Sequence, residues 1–217
     1  MGDQKKDPLN EGLELTVQFD KRGGKIPVVL RNYLNGVVFG LDYVGKEAWQ
    51  EALRTMKWTS GTEQAQARSF DIGGILVDCD QDAAVCNLTN AVQSNLRDLM
   101  DPGVVKYDDK GLVPVITQEI GTNRVLMLAY AKKESLEKTN EIGKATFWST
   151  SRGKEWVKGE TSGDYLVLKR MLVHPEGEFV LYFVEMAGSG ACHTGRKSCF
   201  YRRVTDDRKL EFLPEIK

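Results

Sequence analysis

The chain has 217 residues, 41% hydrophobic and 28% charged, with 30 Lys and Arg against 31 Asp and Glu for a net charge of −1. That gives room for one large or two small soluble domains and excludes the broad basic field of a non-specific nucleic-acid binder. No apolar run approaches the roughly 18–20 residues of a membrane span, and the start "MGDQKKDPLNEG" is too polar and acidic for a secretory or transit peptide. A cytoplasmic protein is expected, with no membrane and no nucleic-acid partner, and residues 1–12 are expected to form a tail.

In chain order, residues 24–53, "GKIPVVLRNYLNGVVFGLDYVGKEAWQEAL", predict two β-rich runs joined by a polar turn, then a helix over 45–57. A strand-like "ILVDCDQDAAV" (75–85) carries an acidic stretch. "NLTNAVQSNLRDLM" (87–100) predicts an extra helix, and "DPGVVKYDDKG" (101–111) a turn-rich linker. "GLVPVITQEIGTNRVLMLAYAKKESLEKTN" (111–140) then repeats the opening pattern, with a helix over 132–142 that Gly143 would end in a left-handed residue.

Pro27 and Pro114, Tyr43 and Tyr130, and Glu47 and Glu134 recur at an offset of 87. Trp58 and Trp148 recur at 90, and Asp82 and Glu178 at 96. Such ordered matches predict two tandem copies: a first repeat over 1–100, a linker over 101–111 and a second repeat over 112–217. Chance likeness between two β-α-β stretches is the plainer explanation.

The halves differ where chemistry is expected. The four cysteines are Cys79, Cys86, Cys192 and Cys199. Without an export signal they belong to a reducing compartment, where clustered cysteines serve as metal ligands more often than as disulfides. "GACHTGRKSCF" (190–200) offers Cys192, Cys199 and His193, with glycines that let a loop curl around an ion. Zinc needs three or four protein ligands. The second half has "HPEGE" (174–178) where the first has "DCDQD" (78–82), so Cys79 is the missing thiol. Asp78, Asp80 and Asp82 suit a hard cation such as Mg²⁺, and the thiol suits Zn²⁺. On a strand the three carboxylates would face away from the thiol; in a turn all could converge. The plainer readings are an acidic strand end and a pair of buried small hydrophobes.

"STSRGKEWVKGETSGD" (149–164) supplies Ser149, Thr150, Ser151, Arg152, Lys158, Thr161 and Ser162, with Gly159 and Gly163 freeing backbone amides. This is the composition of a phosphate-binding loop, although not of a Walker loop, and a solvated hairpin would share it. Trp148 and Trp156 could pack or stack on a base. His193 could ligate the metal or act as a general base. His174, in the turn without a thiol, reads as a surface residue.

The stretch from Val113 to Arg202 resembles phosphoribosyl-AMP cyclohydrolase of histidine biosynthesis, through W-S-x-S-R, W-x-K-G-E-T-S-G and C-H-T-G-x-x-S-C-F. The family's remaining D-C-D-x-D motif stands in the first half. Members are intertwined homodimers whose zinc cysteines come from both subunits. The resemblance therefore implies an α+β, mainly β fold of two tandem pseudobarrel-like repeats with about one helix each, forming an intramolecular pseudo-dimer. The chain would act as a monomer, with further association left open.

The implied reaction is hydrolysis of the N1–C6 bond of the adenine ring of 1-(5-phosphoribosyl)-AMP, a small-molecule nucleotide, to a formamidine–carboxamide ribonucleotide. Cys79, Cys192 and Cys199 would hold zinc, whose bound hydroxide attacks C6, and His193 would shuttle the proton. Asp78, Asp80 and Asp82 would hold Mg²⁺. Trp148, Ser149, Ser151, Arg152, Lys158, Gly159, Glu160, Thr161 and Ser162 would bind the substrate. Asp164 stands where the family usually has asparagine, which puts a phosphate role there in doubt. With about fifteen residues after Arg202, cyclohydrolase activity alone is expected, without a pyrophosphohydrolase domain. A zinc nucleobase deaminase would need H-x-E and P-C-x-x-C, which the sequence lacks. Two rivals stay open: a diverged relic of the cyclohydrolase, and a zinc-stabilised, non-enzymatic binding module marked by a fourth protein ligand.

Overall fold

A computed structural model describes residues 17–60, 68–91 and 93–216; the expected tail at 1–12 and the Gln-rich stretch at 61–67 lie outside the described residues. The first half runs β1 (Lys25–Asn32), β2 (Val38–Gly45), α1 (Lys46–Thr55), β3 (Lys57–Ser60), β4 (Arg68–Val77) and β5 (Ala84–Leu88). A two-residue β6 (Arg97–Asp98) follows. The second half runs β7 (Val113–Glu119), β8 (Val125–Ala131), α2 (Lys133–Ile142), β9 (Thr146–Ser149), β10 (Lys154–Val157), β11 (Tyr165–Val173) and β12 (Val180–Ala187). Short strands β13 (Arg202–Val204) and β14 (Leu210–Phe212) complete it. The fold is mainly β, and no helix among the described residues is long and apolar enough to cross a membrane.

Both α-helices fall inside the expected spans. Trp49 and Ala52, three residues apart on one face of α1, are buried. Gly143 ends α2 at φ 65° and donates to the Thr139 carbonyl, as its lack of a Cβ allows. The extra helix expected over 87–100 does not form among the described residues. Asn87 and Leu88 finish β5, Thr89 and Asn90 turn, and the chain extends to β6. Asn, Ser and Thr compete with helical backbone bonds through their side chains. Here the Asn87 amide instead accepts from Arg31 Nε at 2.7 Å and donates to the Gly74 carbonyl at 3.3 Å.

The main sheet has the order β14-β13-β4-β5-β1-β2, with β3 on β4; the second has the order β6-β11-β12-β7-β8, and β9 and β10 pair as a separate hairpin. Within these, β4-β5-β1-β2 and β11-β12-β7-β8 have the same order, and β1/β5 and β7/β12 are both parallel. Register shifts fall at Leu30/Arg31 and Thr117/Gln118, and again at Ile72/Gly74 and Leu168/Arg170, equivalent places in the two halves. Each sheet also takes an edge strand from beyond the other half. In one, β13 joins β4 with Arg202 opposite Val77; in the other, β6 joins β11 with Arg97 opposite Val173.

The halves meet through matching surfaces. Val29, Val38 and Val85 share one buried cluster with Ile116, Val125 and Leu181. Tyr43 and Tyr130 touch hydroxyl to hydroxyl at 3.1 Å. Arg31 Nη1 donates to the Asn123 carbonyl at 3.2 Å, while Gln118 Nε2 donates to the Gly36 carbonyl at 2.6 Å. Each half thus donates a side-chain hydrogen bond to a backbone carbonyl of the other.

Candidate metal centre and nucleotide cleft

The strand exchange brings the cysteines together. Residues 78–83 form a turn between β4 and β5, not a continuing strand. Asp78 Oδ1 accepts from the amides of Asp82 at 2.9 Å and Ala83 at 3.0 Å, and Gln81 takes a left-handed φ of 56°. From β13, Arg202 Nη1 donates to the carbonyls of Asp78 at 2.7 Å and Cys79 at 3.0 Å, fixing the backbone that carries the thiol. The Cys192–Cys199 loop is pinned at its far end by the Cys199 amide on the Leu126 carbonyl at 2.8 Å and the Ser198 hydroxyl on the Val125 carbonyl at 2.7 Å. Gly190 is required there, because a Cβ would lie 2.4 Å from the Arg196 carbonyl oxygen.

Cys79 Sγ, Cys192 Sγ and a ring nitrogen of His193 lie within 4.8 Å of one another, and Cys199 packs against the same group. His193 Nδ1 is 3.9 Å from Cys79 Sγ, and its ring is exposed on the cleft side. Hydrogen bonding from the Cys199 and Cys79 thiols pulls Cys192 far below the usual thiol range, and the same contacts push Cys79 and Cys199 up. Three thiols gathered at one point form a donor set that suits zinc. Cys86 is not part of it; it is buried in the first-half core.

Asp78, Cys79 and Asp80 also present ligand atoms within 4.8 Å. Burial, reinforced by Asp82 and Asp80, raises Asp78 to about 7 against the lowering pull of two backbone amides. A buried carboxyl whose charge is disfavoured by burial and by two adjacent acids fits a hard cation, which would offset both. Lys21 Nζ lies 3.7 Å from Asp82 Oδ2 on the open side of the turn.

A cleft of about 630 Å³ connects this centre to the polar loop. Asp78, Asp80 and Asp82 line it, as do Arg152, Lys158, Gly159, Glu160, Thr161 and Ser162, together with the cysteines and His193. Gly159 has a φ of 91° and lies so close to Tyr165 that a Cβ would meet its amide at 2.4 Å. Trp148 and Ser149 do not line this cleft. Lys132 sits over the Trp148 ring at 3.9 Å, and Ser149 Oγ accepts from Arg152 Nε at 3.1 Å, holding that guanidinium. Ser151 faces a neighbouring groove. Trp156, not Trp148, lines the cleft as its aromatic wall.

Asp164 also lines this cleft, and its carbonyl accepts from Lys158 Nζ at 3.3 Å. Its Oδ1 accepts from the Ser189 amide at 2.8 Å and the Ser189 hydroxyl at 3.1 Å, and these bonds hold its carboxyl below the usual range. Asp164 therefore ties the polar loop to the segment leading into Cys192. His174 sits in the corresponding turn of the second half, stacked on Phe179 at 5.1 Å and 3.6 Å from Glu178. Sequence patterns point neither to Asp164's tie nor to Arg202's clamp. The only signal for Arg202 is its place two residues beyond the C-H-T-G-x-x-S-C-F stretch.

The phosphoribosyl-AMP cyclohydrolase family model matches residues 127–201. The chain is 49% identical over 112 residues to the phosphoribosyl-AMP cyclohydrolase of Prosthecochloris aestuarii, covering 52% of this chain and 81% of that protein. It is 48% identical over 103 residues to that of Archaeoglobus fulgidus, covering 48% and 94%. It is also 46% identical over 112 residues to a histidine biosynthesis bifunctional protein of Thermoanaerobacter pseudethanolicus, covering 52% and 51%. With the motif-bearing loops gathered around one cleft and relatives of this identity spanned over most of their length, the chain belongs to the phosphoribosyl-AMP cyclohydrolase family.

Proposed function

We propose that this chain hydrolyses the N1–C6 bond of 1-(5-phosphoribosyl)-AMP at one composite site shared by its two halves. The observation that carries this is the meeting of Cys79, from the first half, with Cys192, His193 and Cys199, from the second, at one end of a cleft whose other end is the Lys158–Ser162 loop. Zinc, when bound by the three thiols, would supply the Lewis acidity that makes a water nucleophilic near neutral pH.

The chain's own groups do the rest. Arg152 and Lys158 offer cations, and Thr161 and Ser162 hydroxyls, to a nucleotide phosphate. Trp156 and the Met127–Ala129 wall bound the base. With His193 Nδ1 3.9 Å from Cys79 Sγ, the imidazole stands where it can take a proton from the attacking water and return it to the departing ring nitrogen. Asp78, Asp80 and Asp82 are the residues that would hold Mg²⁺ beside the substrate.

The shared strand order, the equivalent register shifts and the reciprocal edge strands support a tandem duplication, with repeats over 1–100 and 112–217 joined by 101–111. In this reading each repeat is a pseudobarrel-like unit, and the pair reproduces a dimer within one chain. The position of His193 also favours a second reading, in which it is a fourth ligand and the zinc is structural.

The test is Cys79→Ser. It is expected to lower zinc content and abolish turnover of phosphoribosyl-AMP. Full zinc retention with a normal rate would refute the composite site.

A further inference from the structure

A second groove, of about 1230 Å³, runs beside the cleft and shares Asp80 and Asp82 with it. It is centred on the Tyr43–Tyr130 contact and receives Lys106 and Lys110 from the linker and Thr150 and Ser151 from the tip of the β9–β10 hairpin. Its acids are Asp80, Asp82, Asp108 and Glu178, of which Asp80 belongs to the trio proposed above to hold Mg²⁺. Asp108 Oδ1 accepts from the amides of Lys110 at 2.9 Å and Leu112 at 2.8 Å, Glu178 faces His174, and Asp82 faces Lys21. Lys106 and Lys110 have no acidic partner among the described residues. The linker is also held in place, since the Lys106 amide donates to the Gly177 carbonyl at 2.9 Å. Gly177, at φ 75°, has no Cβ to meet the Val104 carbonyl oxygen at 2.5 Å. The turn that lacks a thiol thereby anchors the linker.

We propose that Lys106 and Lys110 form a phosphate subsite in this groove, which takes the phosphoribosyl arm on N1 of the substrate. The proposal rests on the function argued above. In phosphoribosyl-AMP one arm leaves the purine at N9 and the other at N1, next to the carbon attacked. With C6 placed at the thiols and the N9 arm placed toward the Lys158–Ser162 loop, the N1 arm is directed past the acidic turn, whose Asp80 and Asp82 line both cavities. The far side of that turn is this groove. Hydroxyls from Thr150 and Ser151 and two unpaired ammonium groups match a phosphomonoester.

The test compares phosphoribosyl-AMP with AMP, which lacks the N1 arm. In the zinc-loaded full chain, Lys106→Ala/Lys110→Ala is expected to raise KM for phosphoribosyl-AMP about tenfold, with kcat changed far less. The inhibition constant of AMP should stay unchanged. An unchanged KM overturns the subsite, as does a proportional weakening of AMP. A KM that holds while inhibition by inorganic phosphate weakens assigns the groove to a free anion and also overturns it. Absence of turnover by the unsubstituted protein overturns the functional reading itself, and this proposal with it.

Discussion

Arg202 is the residue through which the second half controls the thiol of the first. It is 6% exposed, and its guanidinium lies 4.8 Å from the Tyr201 ring and 5.6 Å from that of Phe212. Arg202→Met keeps much of the packing volume and removes the donor. A hydrogen bond from a charged group contributes about 1.5–3 kcal/mol. Losing the two that reach the Asp78 and Cys79 carbonyls therefore removes at most about 3–6 kcal/mol of restraint on the turn, the Asp78 carbonyl keeping the Gln81 amide at 3.3 Å. Loss of support behind a metal ligand weakens metal binding by about 10–100-fold, or about 1.4–2.8 kcal/mol, which lies below that ceiling.

The assay is zinc competition against a chelator of known affinity, with thermal unfolding of the metal-free and zinc-loaded protein. Arg202→Met is expected to bind zinc about 10–100-fold more weakly and to show a smaller zinc-induced rise in Tm. Arg202→Lys, whose single ammonium lacks the planar fork, should fall between. A folded Arg202→Met that binds zinc within about twofold of the parent would refute the clamp.

Two further substitutions separate roles around the centre. His193→Gln is expected to cut kcat by about 10²–10⁴-fold while zinc stoichiometry holds; zinc loss comparable to that of Cys79→Ser would instead make the imidazole a ligand and favour a structural zinc. His174→Ala should leave kcat within about twofold and cost about 1 kcal/mol of stability from the lost Phe179 stack. A drop in kcat of an order of magnitude would mean that the centre had been assigned to the wrong turn.

The groups with local signatures were legible from sequence. The 3.6-residue spacing of α1, the Gly143 stop of α2 and the glycines of the polar loop each state a backbone requirement that nearby residues settle. The stretch at 87–100 misled because its apolar spacing resembles a helix, while its actual course is set by residues far away. Asn87 is held by Arg31 and Gly74, and Arg97 is drawn to β11. Trp148 sits beside the motif serines with Lys132 over its ring, while Trp156 lines the cleft, a placement that no local pattern records. The contacts of Arg202 and Asp164 span 124 and 25 positions, beyond what any local pattern records.

The second half offers an internal control for the Arg202 argument. Arg97 stands on β6 as Arg202 stands on β13, each opposite a valine at the end of the strand it joins. Arg97 Nη2 still donates to a carbonyl of the opposing turn, that of Pro175, at 3.2 Å, although no thiol is there. Arginine at this position therefore serves the strand exchange whether or not a metal ligand follows. The difference lies in the environment. Arg97's bond is exposed, whereas one of Arg202's is buried and the other partly so, and both are backed by Tyr201 and Phe212. An exposed bond exchanges readily with water and adds little, while a buried charge-assisted one is not replaced by water when lost. Loss of Arg97 should thus barely move Tm, and only loss of Arg202 should also move zinc affinity. Equal effects of the two substitutions on both quantities would mean that the arginine acts through sheet stability alone.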